Sequence, residues 1–427
     1  MKSTKQKKIL ILSGIAHMVN VVETAKNMGY YTIVTDKAPG SPAKKVADKS
    51  YDISTSEIER LAEMAKHEQI DGVFNGFDDL NTWNALALCD KLGLPYYATE
   101  EQLEICSNKD QFKDHCRKFG VPVSEEYEID ANLQDEDLAK LTFPVIIKPV
   151  DSYASQGITI CYTPEELKAG YEKALDYSKS GNVIVERFID TPYGTMMYYT
   201  VQNGEVFLSA VTDRHVHQQF KEFPPLPIAV AFPSMHKELY LEKVDPQIRD
   251  MLKGMGIQNG VLMIQALYEE GEFFIYEMGF RISGSQHYTI VEQQTGINLL
   301  EMMLDHALGE PIAKYDISSF DNSYIPRPSC NLPILLDNGI IAKVSGLEKV
   351  LAMPQVLSFV GCRHAGDAIE HTGSYSPMFG RFNVTADSLD ELHETIDAIY
   401  DTLEITSTEN RDMILVRYQP KAAPVYE

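Results

Sequence analysis

Two apolar strands, far apart in the chain, each end in residues that a buried strand has no reason to carry. The first lies in Phe143–Ile158. It runs Pro-Val-Ile-Ile into Lys148, then opens into the small-residue loop Asp151-Ser-Tyr-Ala-Ser-Gln-Gly157. The second lies in Gly271–Ser285. It runs Phe-Phe-Ile-Tyr to Glu277, then reaches Arg281 and the segment Ile-Ser-Gly-Ser. A lysine closing an apolar strand needs an anion, because an unpaired charge is expensive to bury. A lysine, a loop of backbone N–H groups, a carboxylate for a divalent cation and an arginine are together the parts that phosphoryl transfer uses.

The first hundred residues alternate between two periodicities. Ile9–Leu12 is a continuous apolar run, as in a strand buried on both faces. Val19, Val22, Ala25 and Met28 follow at helical spacing and stop at Gly29. Strands are expected at Tyr31–Thr35, Tyr51–Ile53 and Ile70–Asn75, and a helix over Leu80–Leu92. That order implies a parallel sheet with helices on both faces. The turn Ser13-Gly-Ile-Ala-His17 has the place of a dinucleotide loop but lacks its second and third glycines, so an NAD or FAD site is disfavoured. Asn108 caps a helix that ends at Gly120 and Pro122. Beyond it the texture becomes α+β. Strands are expected at Pro144–Lys148, Gly157–Cys161 and Val183–Phe188, with a helix over Pro164–Ser178. One hairpin is expected around Asn203-Gly204 and another around Glu269–Gly271. From about residue 330 short strands sit between glycine turns (Gly339–Glu348, Gly366–Glu370, Gly380–Val384), before a helix over Ser388–Leu403.

With 427 residues the chain is long enough for several domains. A formal charge of −24 argues against nucleic acid or an anionic membrane as partner. It also makes each placed cation informative. Six scattered cysteines, with no Cys-x-x-Cys pair, read as free thiols of a reducing compartment. The basic start followed by an apolar run is read as a first strand, because Gly14 and His17 break the run early. No stretch approaches the roughly 20 apolar residues of a membrane span. The expected location is cytoplasmic.

On the segments 143–158 and 261–285 the chain resembles the ATP-grasp superfamily, of the carboxylate–amine ligase type. It is similar to L-amino acid ligases and to the ATP-grasp unit of carbamoyl phosphate synthetase. The resemblance implies α/β and α+β multidomain architecture: an N-terminal parallel-sheet domain (1–105), a two-lobed ATP-grasp domain (106–312) and a C-terminal α+β domain (313–427). It implies that Lys109 and Lys148 contact nucleotide phosphates. Ser152, Ser155 and Gly157 would belong to the loop over those phosphates. Glu186 would meet the adenine amino group, with Arg187, Phe188 and Ile189 along the ring edge. Gln265 and Glu277 would hold Mg²⁺, or Mn²⁺ in its place. Arg281 and Ser283 would serve the transferred phosphoryl group, and His287 is a candidate base for an incoming amine, or else a structural histidine. Arg214 and Arg381 are further candidates for substrate contact, with a surface loop as the other reading of Arg214.

Two departures stand out. The residue that would hold the ribose hydroxyls is Thr195 after Gly194, and an asparagine that would help hold a second Mg²⁺ is Gly279. The activity implied is ATP-dependent ligation of a small-molecule carboxylate to an amine through an acyl phosphate, with a homodimer as the default assembly. The alternatives are a bicarbonate-using enzyme similar to carbamoyl phosphate synthetase or biotin carboxylase, and a non-catalytic ATP-binding regulatory protein.

Overall fold

The computed structural model describes residues 6–129, 133–152, 156–191, 193–217, 225–371 and 377–420. Strands β1 (Lys8–Leu12), β2 (Tyr31–Thr35), β3 (Lys49–Tyr51) and β4 (Gly72–Phe74) form a parallel sheet in the order β3-β2-β1-β4. Ile9, Leu10, Ile11 and Leu12 are fully buried, which is why β1 reads as an unbroken apolar run. The expected strand at Tyr51–Ile53 lies two residues earlier. The helix Ile58–Glu68 has no counterpart in the expectations, although its buried positions Leu61, Ala62, Met64, Ala65 and Glu68 follow helical spacing. Asp36, at the end of β2, accepts from the N–H groups of Gly14 (2.7 Å) and Ala38 (2.8 Å).

Strands β5 (Glu126–Tyr127), β6 (Val145–Pro149), β7 (Thr159–Cys161) and β8 (Val183–Arg187) make a small antiparallel sheet, ordered β5-β8-β6-β7. The helix Pro164–Tyr177 covers one face through Leu167, Gly170 and Ala174. The remaining strands are β9 (Tyr193–Gln202), β10 (Glu205–His217), β11 (Leu226–Phe232), β12 (Asn259–Glu269), β13 (Glu272–Gly279), β14 (Ser329–Leu335), β15 (Gly339–Ser345), β16 (Val356–Gly361), β17 (Ala368–Ile369), β18 (Met378–Thr385) and β19 (Glu404–Ser407). Eight of them form one sheet, β13-β12-β9-β10-β11-β14-β18-β16. The hairpin between β9 and β10 turns at Asn203 (φ 53°) and Gly204 (φ 80°), the left-handed pair that a two-residue turn requires.

This sheet crosses the boundary expected at 312/313. β11 pairs with β14 through Val230–Asn331, Ala231–Cys330 and Phe232–Ser329, so the last third of the chain extends the sheet that carries Gln265 and Glu277 on β12 and β13. β14 was not expected because Pro333 interrupts it; proline is usually confined to sheet edges.

The N-terminal unit is anchored to the rest. Tyr30 donates to Asp305 at 2.6 Å, Lys7 pairs with Glu310 at 2.6 Å, and Tyr97 donates to the carbonyl of Phe280 at 2.9 Å. Gly72 lies so near Ala307 that an added Cβ would meet its carbonyl oxygen at 2.2 Å. All six cysteines are free thiols. Among the described residues no helix is long and apolar enough to cross a membrane.

Candidate active site

The small sheet supplies a buried charge cluster. Lys148 on β6 faces Glu186 on β8, and Lys148 Nζ lies 2.8 Å from Glu186 Oε2. Lys113 Nζ contacts the other oxygen at 2.6 Å, and Ser124 Oγ donates to Oε2 at 2.8 Å. Glu186 and Lys113 are both only 2% exposed. Burial alone would raise the Glu186 pKa; the charges of Lys148 and Lys113 override it and hold the carboxyl at about 2. Lys113 was missed by the sequence reading. Its signal was its place four residues after Lys109, on the same face of the helix Lys109–Lys118.

Lys109 joins the two halves of the site. Its backbone N–H donates to Val150 O at 3.1 Å and its Nζ to Ser152 O at 2.5 Å. Burial lowers its pKa; Glu277, Glu186 and Asp151 oppose that, and Lys148 adds to it. One ammonium thus senses both strand ends singled out by the sequence. The loop beyond is pinned at its base: Asp151 accepts from Ser178 Oγ, Lys179 N and Ser180 N at 2.7–3.1 Å. Ser152 Oγ donates to Gln156 O at 2.9 Å, whereas Ser155 lies outside the described residues. Gly157 has φ +76°, and a Cβ there would strike Pro149 at 2.7 Å, so that position is closed to other residues.

Beyond Glu186, the N–H of Arg187 donates to Glu125 O and that of Phe188 to Pro144 O. These two amides are spent inside the lobe, so a ring edge here would meet the other backbone groups of this segment. Ile189 is buried at 3% exposure. The Arg187 side chain bridges the two sheets, 2.9 Å from Glu269 and stacked 5.1 Å above the Phe274 ring.

Gln265 and Glu277 are direct cross-strand partners on β12 and β13. Gln265 Nε2 donates to Glu277 Oε2 at 3.0 Å, while its Oε1 accepts from Arg214 (2.9 Å) and Tyr276 (2.8 Å). The two side chains meet at one point, as expected, with the amide nitrogen turned to the carboxylate. Rotating the carboxamide half a turn exchanges N for O and restores an all-oxygen pair. No cluster of three His, Cys, Asp or Glu suited to a metal occurs among the described residues. A carboxylate and a carboxamide do fit Mg²⁺, which takes hard oxygen donors and completes its shell with phosphate and water. Arg214 is not in a surface loop; it lies within β10, on the Gln265 side of the sheet.

Arg281 is 9% exposed and paired with Asp79, at the start of the helix Asp79–Leu92. The loop after it is held from two sides. Phe77 N donates to Ile282 O at 3.1 Å. From below, Asn331 on β14 donates to Ser285 O at 2.9 Å and to Asn383 Oδ1 at 2.7 Å. Ser283 Oγ and Tyr198 OH both contact Ser285 Oγ at 3.1 Å. His287 is stacked 3.7 Å from the Tyr198 ring and is 3% exposed, and burial lowers its pKa to about 3. This corrects the base reading: a ring sealed from substrate and that reluctant to take a proton is a packing element. Arg381 on β18 lies near His17, at the start of the first helix, and adds to the burial that lowers the His17 pKa.

The two sheets set a lysine-lined lobe beside a Gln–Glu strand pair. Residues 108–315 match the family described as carbamoyl-phosphate synthase L chain, ATP binding domain. Over those residues the chain is similar to that ATP-binding domain, in line with the resemblance to ATP-grasp proteins. It is 24% identical over 337 residues to a formate-dependent phosphoribosylglycinamide formyltransferase of Methanocaldococcus jannaschii, covering 75% of this chain and 83% of that one. The Prochlorococcus marinus enzyme of the same name is 26% identical over 361 residues, covering 81% and 86%. In fold the chain is similar to a phosphoribosylglycinamide synthetase from Anaerococcus prevotii (TM-score 0.75, 21% identity, 95% and 100% covered). It is also similar to an L-amino acid ligase from Bacillus licheniformis (TM-score 0.74, 20% identity, 95% and 100% covered).

Proposed function

We propose that the chain is an ATP-dependent carboxylate–amine ligase whose nucleotide lies between the small sheet and the β12–β13 edge. The observation that carries this reading is Lys109, whose charge is coupled at once to Lys148 and Glu186 on one side and to Glu277 on the other. Lys109 and Lys148 neutralise phosphates, and Lys148 exchanges part of its contact with Glu186 for the nucleotide. Lys113 keeps Glu186 paired during that exchange. Ser152 and Gly157 shape the loop over the phosphates. Gln265 and Glu277 hold Mg²⁺, or Mn²⁺; the bound ion would neutralise charge on the phosphates. Arg281 stabilises the phosphoryl group in flight, with Ser283 supporting the same anion.

In the first step a substrate carboxylate oxygen attacks the γ-phosphorus, forming an acyl phosphate as ADP leaves. In the second the amine nitrogen attacks the acyl carbon and inorganic phosphate departs, giving an amide. The names of the formyltransferase relatives, which join formate use to phosphoribosylglycinamide, support carboxylate activation as the common theme. We further assign units 1–105, 106–312 and 313–427, the last two sharing the eight-stranded sheet, together with small-molecule substrates and a cytoplasmic location.

The test is to supply ATP and Mg²⁺ with pools of carboxylates and amines while following ADP, AMP and phosphate together. ADP and phosphate in equal amounts, dependent on a pool, is the expected result. AMP would mean adenylation and overturn the mechanism.

A further inference from the structure

We propose that the crevice at the carboxyl ends of β1 and β4 takes a carboxylic substrate bearing an apolar side chain and no phosphate group. This rests on the ligase reading above and narrows it to a substrate class.

In the order β3-β2-β1-β4, the chain winds outward from β1 in both directions, so a crevice opens between the ends of β1 and β4. The turn after β1 presents Ile15, 41% exposed, and the first turn of the helix Asp79–Leu92, which follows β4, presents Leu80, 52% exposed. Phe77 lies in the turn after β4, its ring 5.5 Å from that of His17. Its backbone donates to Ile282 O at 3.1 Å, and its Cβ lies 3.8 Å from where a Cβ on Gly284 would be. Phe77 therefore borders the loop that follows Arg281, where the acyl phosphate would form, and Ile15 and Leu80 stand exposed at the ends of the same two strand–helix connections.

The charges of the crevice point the same way. Neither segment 13–17 nor segment 75–82 contains a lysine or arginine, and the second carries Asp78 and Asp79. A phosphate monoester brings close to two negative charges and is held by placed cations. The two segments themselves, with two carboxylates and three apolar side chains, supply it no cation. A single carboxylate needs only one guanidinium, and Arg381 reaches the His17 side of the crevice from β18, with Met378 Sδ 3.7 Å from its Nη2. An apolar acid of amino-acid size fits these features. A phosphorylated sugar of the kind in the formyltransferases' name does not.

The test uses the full chain with ATP and Mg²⁺, measuring ADP release with three supplies. These are leucine, isoleucine, valine, methionine and phenylalanine together; the acidic and amide amino acids together; and phosphoribosylglycinamide with formate. The expected result is release at least tenfold faster with the first supply. In addition Leu80→Lys, a change at an exposed site, should raise KM for the apolar acid at least tenfold and leave KM for ATP unchanged. Faster turnover with phosphoribosylglycinamide, or a Leu80→Lys enzyme with unaltered KM for the acid, overturns the substrate class while leaving the ligase reading intact. No ADP from any supply counts against the ligase reading itself.

Discussion

Asp79 grips Arg281 with both carboxylate oxygens, at 2.7 Å from Nε and 3.1 Å from Nη2, across two units of the chain. The two-point pair fixes the plane of the guanidinium and directs its remaining nitrogen, Nη1, away from the carboxylate. Phosphoryl stabilisation depends on that orientation being present before the reaction begins.

Asp79→Asn should therefore slow ADP formation by about tenfold to a hundredfold, the range for a misplaced anion-stabilising donor. ATP binding, measured by calorimetry, should change less than twofold, because Arg281 retains its charge. Equal losses in binding and turnover would show that Asp79 merely holds the two units together.

Glu186 predicts an acid-sensitive core. Its folded pKa of about 2 lies below the ordinary 4.5 of a glutamate. The folded state thus favours the ionised form. The stabilisation is complete above pH 4.5 and is lost as pH falls from 4.5 towards 2. Urea unfolding of wild type and Glu186→Gln should differ by about 3–5 kcal/mol near neutrality, because two buried ammoniums lose their partner. That difference should shrink across the stated window.

Metal binding should respond to the strand pair in opposite directions. Glu277→Ala should lower ADP formation at least a hundredfold, on the order expected for losing a charge-stabilising contact, in a protein whose melting is unchanged. Gln265→Glu replaces a carboxamide by a second carboxylate and should lower the Mg²⁺ concentration for half-maximal activity. A Mg²⁺ dependence that neither substitution shifts would exclude this pair as the site.

His287→Gln should leave the pH profile of ADP formation unchanged between pH 6 and 9, since the ring is neutral throughout that range with its pKa of about 3. The same substitution should lower the melting temperature by removing the stack on Tyr198. Loss of a limb near pH 6.5 would restore the histidine as a base.

The strand ends were legible because burial leaves a signature: apolar runs interrupted only where chemistry requires it. Lys148, Glu277 and Arg281 stood out for that reason, and the structure brings the first two near Lys109. The Asp79 contact was hidden, because a helix-opening aspartate is usual and its partner lies 202 positions away. Lys113 was masked by a helix rich in charge. Asn331 and Asn383 could not be read as a clamp, since a polar residue in a strand gives no hint of the loop it holds. The eight-stranded sheet was read as two pieces, because pairing between β11 and β14 leaves no local trace in either strand.

That pairing limits how the protein can be dissected. A fragment ending at residue 312 would strip β14 from β11 and leave the N–H and C=O groups of Val230–Phe232 facing water along a raw, largely apolar edge. Exposed edges of that kind recruit other chains. Shortened forms should precipitate rather than yield a soluble nucleotide-binding core, and the enzyme has to be produced and evolved as one indivisible body.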